Sequence, residues 1–165
     1  MQNAIIKQEL ERTKIELTEH EQCIIDHAIS IIESKLKTKD NLVATNTCLV
    51  GDYLKIQTSL LEREVFGILY LDNQNRLIAN EILFTGTVNA ASVYPREVIK
   101  SALFKNASAV ILYHNHPSGD AEPSQADKSI TKKISDALEV LDIRTLDHFI
   151  IGHDEYFSFS NRGLI

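Results

Sequence analysis

Apolar and polar positions divide this 165-residue chain into blocks of different period. Residues 4–38 hold no proline or glycine and read as helical, with the capping-box pair Thr18-x-x-Glu21 splitting the stretch in two. Beyond Thr18, Ile24, Ile25, Ala28, Ile29, Ile32 and Leu36 recur at helical spacing. That stripe predicts packing on the rest of the chain, or on a second copy as a homo-oligomer. The polar residues 37–41 break the pattern, and residues 51–56 predict a short helix.

Periodicity then changes. Residues 64–72 form a near-continuous apolar run that predicts a strand, residues 72–75 supply turn chemistry, and residues 76–85 predict the returning strand of a hairpin. Residues 87–94 read as loop. Pro95 suits the first turn of a helix reaching about residue 105, which would bury Val98, Ile99, Ala102 and Leu103. A buried strand is predicted from Ala109 to Leu112. Ser124 opens a helix to about Val140, with Ile130, Ile134, Ala137, Leu138 and Leu141 facing inward. Residues 142–151 predict a strand, 152–155 a turn and 156–160 a last strand. This order gives an α/β (α+β) domain over residues 41–165, a mixed sheet flanked by helices, with residues 1–40 as a helical N-terminal extension.

Charge narrows the choice of partners. Acidic residues number 23 against 17 basic, a net charge of −6, so nothing global favours binding to phosphate backbones. Cys23 and Cys48 have no framework spacing, which predicts reduced thiols in a cytosol. The first residues lack a basic-then-apolar signal pattern and no run approaches 18 apolar residues, so no membrane span is predicted. Repeats and low-complexity segments are absent. The reading is a soluble cytoplasmic protein.

The chemistry concentrates where the predicted strand from Ala109 ends. Residues i and i+2 of an extended chain point to one side, so His114 and His116 can converge on one point. Asp127, in the first turn of the following helix, can supply a third ligand. Two imidazoles and a carboxylate match a catalytic zinc site, whose fourth position stays open. Ser124-x-x-Asp127 is equally a capping box, and the two readings compete for one carboxylate. Spacing leaves both open. Glu64 is either solvated at a sheet edge or poised at a site, with Glu62 and Glu81 as competitors for the second role. Asp120 reads as a turn residue. His148 follows Asp147 in mid-strand and reads as a core residue or as a partner of a ligand. His20, Cys23 and His27 form no ligand set and read as surface.

The spacing His114-x-His116, seven residues, Ser124, two residues, Asp127 resembles the JAMM (MPN+) metalloprotease motif. Around it, residues 114–120 and the blocks 61–66, 92–98 and 146–152 are similar to the RadC-like branch of that superfamily, and the resemblance covers about residues 45–165. It implies a JAMM/MPN-like mixed sheet of cytidine deaminase-like type. It also implies one zinc per chain on His114, His116 and Asp127. Glu64, matching the upstream E-x-x-G with Gly67, would be the general base for water attack on a peptide or isopeptide carbonyl. Ser124 would donate to the oxyanion, and the substrate would be a peptide or protein tail. Two departures stand. Tyr94 occupies a position where the RadC pattern commonly has histidine, and the forty residues before the domain hold no glycine-containing helix-hairpin-helix. The chain therefore resembles a short form. The alternative implied by the family name, action on or near DNA in repair or mobile-element biology, gains nothing from the acidic composition. A deaminase is disfavoured without a P-C-x-x-C partner, and an H-E-x-x-H zincin helix is absent.

Overall fold

The strand Val65–Leu71 (β1) is buried at every position, which is why it shows no alternation in sequence: helices cover both faces of the sheet to which it belongs. The computed structural model describes residues 17–38, 46–58, 60–86 and 93–165. Two helices come first, α1 (Glu19–Leu36) and α2 (Thr47–Thr58), followed by β1 and β2 (Leu77–Thr85). Helix α3 (Pro95–Phe104), strand β3 (Ala109–Asn115), helix α4 (Gln125–Glu139) and strand β4 (Arg144–Ile151) come next. Strand β5 (Tyr156–Ser158) and a 3-10 turn (Ser160–Arg162) end the order. The sheet runs β2-β1-β3-β4-β5. Only β3 and β4 are parallel, and α4 is the crossover between them. A mixed sheet between helices is therefore observed, as the sequence led one to expect.

Alternation within the central strands separates two apolar layers. On one side Leu36, Val50, Tyr53 and Leu54 of α1 and α2 meet Leu69, Leu71, Ile111, Tyr113, Phe149 and Ile151. On the other, Val98, Ala102, Ile134 and Leu138 of α3 and α4 meet Phe66, Ile68, Tyr70, Val110 and Leu112. The second layer includes the face of β3 that carries His114.

The Thr18 capping box forms, with Thr18 N donating to Glu21 Oε2 at 2.8 Å. Residues 4–16 of the expected helical stretch lie outside the described residues, as do residues 39–41 and 87–92. Ile29 and Ile32 pack on the first apolar layer and Leu36 is buried in it, but Ile24 is 56% exposed, off the predicted stripe. Helix α2 begins before Gly51 rather than at it, because Gly51 is an interior helical residue pressed against the Tyr156 ring. Leu103 and Leu141 were expected inside and are exposed: Leu103 sits one step off the buried Val98–Ala102 face of α3, and Leu141 lies past the end of α4 at Glu139. The last strand stops at Ser158 instead of Ser160. Ser158 and Ser160 both donate to the buried carboxylate of Asp147, and that shared acceptor curls the chain into the 3-10 turn.

Gly67 lies opposite Tyr113 in the antiparallel register, and a Cβ there would come within 2.6 Å of three phenol atoms. The Tyr113 hydroxyl donates to Asn80 Oδ1 at 2.7 Å, so the ring has no cheap way to move. Gly67→Ala is expected to destabilise the fold by about 3 kcal/mol, read as a lower urea midpoint at unchanged slope.

Candidate metal centre

Three side chains converge at the C-terminal end of β3. His114 and His116 share a side because they are two apart on extended backbone, and the Nε2 atoms lie 3.0 Å apart. Asp127 approaches from the first turn of α4, with Oδ1 3.4 Å from His114 Nε2 and Oδ2 3.8 Å from His116 Nε2. These ligand atoms all lie within 4.8 Å of one another, an arrangement that can hold a metal ion. Donors about 2.0–2.1 Å from a tetrahedral zinc stand roughly 3.3 Å apart, so the observed spacings fit such an ion.

Of the two readings of Asp127, the capping one is seen directly. The Ser124 capping box is formed: Ser124 N and Oγ both donate to Asp127 Oδ2, at 2.7 and 2.6 Å, and Asp127 N donates back to Ser124 Oγ at 3.1 Å. That leaves Oδ1 facing His114. The cap thus fixes the carboxylate that faces the histidines, and its geometry leaves Oδ1 open to a metal-ligand role.

His116 Nδ1 sits 2.7 Å from the carbonyl oxygen of Asp120, which can only accept, so Nδ1 donates there and Nε2 is the ring nitrogen turned towards His114. The Asp120 carboxylate itself accepts from Glu122 N in a turn, as the sequence suggested. His114 is buried, and burial pushes its pKa down to about 4; the Asp127 carboxylate opposes this and His116 adds to it. His114 Nε2, His116 Nε2 and a carboxylate oxygen face one another, a donor set suited to a cation.

Glu64 precedes β1, two residues before Phe66, the β1 residue paired with His114. Sequence reasoning missed the residue that anchors this stretch to β3. Asn115 Oδ1 accepts from Val65 N at 2.8 Å and Asn115 Nδ2 donates to the Arg63 carbonyl at 3.1 Å, gripping the backbone on both sides of Glu64. An asparagine between two histidines was the available signal. The two competitors differ in position. Glu81 is ion-paired with Lys105 at 2.5 Å on β2, and Glu62 is exposed at the rim of a cleft of about 560 Å³ that also touches Leu61, Asn115, His116 and His153. A cavity of about 860 Å³ between β2 and α3, lined by Leu83, Phe84, Ile99 and Phe104, shares no residue with the histidine set. His148, buried in β4, places Nε2 2.9 Å from His114 Nδ1. His20, Cys23 and His27 are exposed on α1, away from this set.

Residues 44–164 match the family model described as the RadC-like JAB domain. The chain belongs to the RadC-like JAB domain family. Among its relatives, the UPF0758 protein YkfG of Escherichia coli (strain K12) is 47% identical over 150 residues, 91% of this chain and 94% of its own length. A UPF0758 protein of Pseudoalteromonas translucida (strain TAC 125) is 63% identical over 116 residues, 70% of this chain and 52% of its own length. One from Cellvibrio japonicus (strain Ueda107) is 52% identical over 142 residues, 86% of this chain and 62% of its own length. The matched region thus spans about half to three-fifths of the length of two of these curated relatives. JAB domains are often metal-dependent hydrolases and commonly bind zinc.

Proposed function

We propose that this RadC-like JAB domain is a zinc-dependent hydrolase of peptide or isopeptide bonds, acting on a peptide or protein tail. The observation that carries the reading is the convergence of His114, His116 and Asp127 beside the strand start that holds Glu64. His114, His116 and Asp127 would hold one zinc per chain, which when bound supplies an acidified water and a polarised carbonyl. Glu64 would take the proton from the attacking water and pass it to the leaving amine. Asn115 would keep that carboxylate at its station through the backbone. Ser124 Oγ, which here donates to Asp127, would turn its proton towards the developing oxyanion. A tail lying extended along the cleft beside His116 would reach the ligands from their exposed side, since the His116 and Asp127 side chains are about one-fifth exposed while His114 is not. Among the described residues, no helix is long and apolar enough to cross a membrane, and a cytoplasmic site of action accords with the two exposed free cysteines.

The test is a panel of fluorogenic peptides and lysine-linked tails, assayed with and without chelator. Hydrolysis that chelator abolishes and added zinc restores is the expected result. Hydrolysis indifferent to chelator would remove zinc from the proposal.

A further inference from the structure

A line of hydrogen bonds leaves the metal centre through one proposed ligand and returns through another. Thr131 Oγ1 lies 2.5 Å from the main-chain carbonyl of Asp127, four residues earlier on α4. A carbonyl has no proton, so the hydroxyl proton of Thr131 must lie between these oxygens. Thr131 Oγ1 is also 2.6 Å from His148 Nδ1. Having spent its own proton, the hydroxyl can only accept there, so His148 Nδ1 carries hydrogen. The ring of His148 is fully buried between Phe66 and Phe159, where a charge would be costly. It is therefore neutral, and its Nε2 has a lone pair. That lone pair faces His114 Nδ1 at 2.9 Å, so His114 Nδ1 must donate. The remaining nitrogen of His114, Nε2, is left without a proton, and it is the atom that faces His116 and Asp127.

We infer that Thr131 and His148 are positioning residues that fix the tautomer of His114 and present its bare Nε2 to the metal. The inference rests on the reading of His114 as a ligand. The backbone carbonyl of one ligand, Asp127, thereby dictates the proton position on another. His148 does for His114 what the Asp120 carbonyl does for His116. It is a histidine in a place that a carboxylate or carbonyl commonly fills, and it needs Thr131 behind it because an imidazole alone does not specify which nitrogen accepts.

Long-range ¹H–¹⁵N spectra of the metal-free full chain read tautomers directly. The Nδ1–H form is expected on both His114 and His148. Thr131→Val removes the acceptor, and His148 can then turn its proton towards His114. The variant is expected to show the Nε2–H form of His114 and roughly 10–100-fold weaker zinc binding, by competition with a chromophoric chelator. Thr131→Ser keeps the hydroxyl and should restore both readouts. A merely structural threonine would lower the melting temperature without moving the tautomer. An Nε2–H form on either ring of the wild type overturns the inference, as does a folded Thr131→Val chain with wild-type tautomer and zinc affinity. Should Thr131→Val fail to fold, the wild-type spectra still decide. A wild type that binds no zinc yet shows both Nδ1–H forms would refute the metal reading while leaving the wiring intact.

Discussion

About one zinc per chain is the content expected of the purified protein, with His114→Ala and Asp127→Asn both falling to background. His114→Ala deletes a donor outright, so its effect should exceed the roughly 10–100-fold loss that removing an outer partner causes. Asp127→Asn is the sharper probe. A carboxamide oxygen can still accept from Ser124 N and Oγ, the two bonds that Asp127 Oδ2 now receives, so α4 keeps its start and the fold its stability to within about 1 kcal/mol. What disappears is the negative charge facing His114 Nε2. Metal analysis beside a thermal melt separates the two roles. Full zinc retention in Asp127→Asn would leave this carboxylate a helix cap and nothing more.

Glu64→Gln should lower the rate on any substrate found by the peptide panel by roughly 10²–10⁴-fold, with zinc content unchanged. Glutamine is nearly isosteric and leaves the Asn115 grip on the flanking backbone untouched, so the loss reports the missing base rather than a displaced strand. Glu62→Gln and Glu81→Gln are the controls. Glu81 is engaged by Lys105 and Ser101 on β2, and Glu62 is exposed in the cleft that His116 also lines. A Glu64→Gln enzyme of undiminished rate, or a Glu62→Gln enzyme that has lost its activity, would move the proton-transfer role away from Glu64.

Local rules made some of this legible. The i, i+2 geometry of a strand was enough to bring His114 and His116 together, and Pro95 and Ser124 marked the starts of α3 and α4 where the structure has them. The family blocks gave the mixed sheet. What escaped was set by long-range registry. Nothing near His148 in the sequence says that β4 lies parallel to β3 with His148 opposite Leu112, and only that register brings its ring to His114. Asn115 is similar, because its amide meets Val65 and Arg63 some fifty residues upstream. The exposure of Leu103 and Leu141 escaped because Leu103 sits one step off the buried face and Leu141 past the helix end, and periodicity places neither boundary to within a residue. Asp127 was ambiguous for a different reason. A carboxylate has two oxygens, and a residue-level reading cannot assign them to different tasks.

The unit β3–α4–β4, residues 109–151, contains His114, His116, Ser124, Asp127, Thr131 and His148, while Glu64 comes from outside it. The proposed metal cup is thus a contiguous cassette, closed by one crossover, whereas the proposed base is delivered by a separate hairpin docked along its flank. Contacts of short sequence separation form early and cheaply. Capture of an ion and turnover of a substrate are then separable traits. On the proposed reading, local fraying of the β1 start would remove the proposed base and leave the proposed metal cup intact.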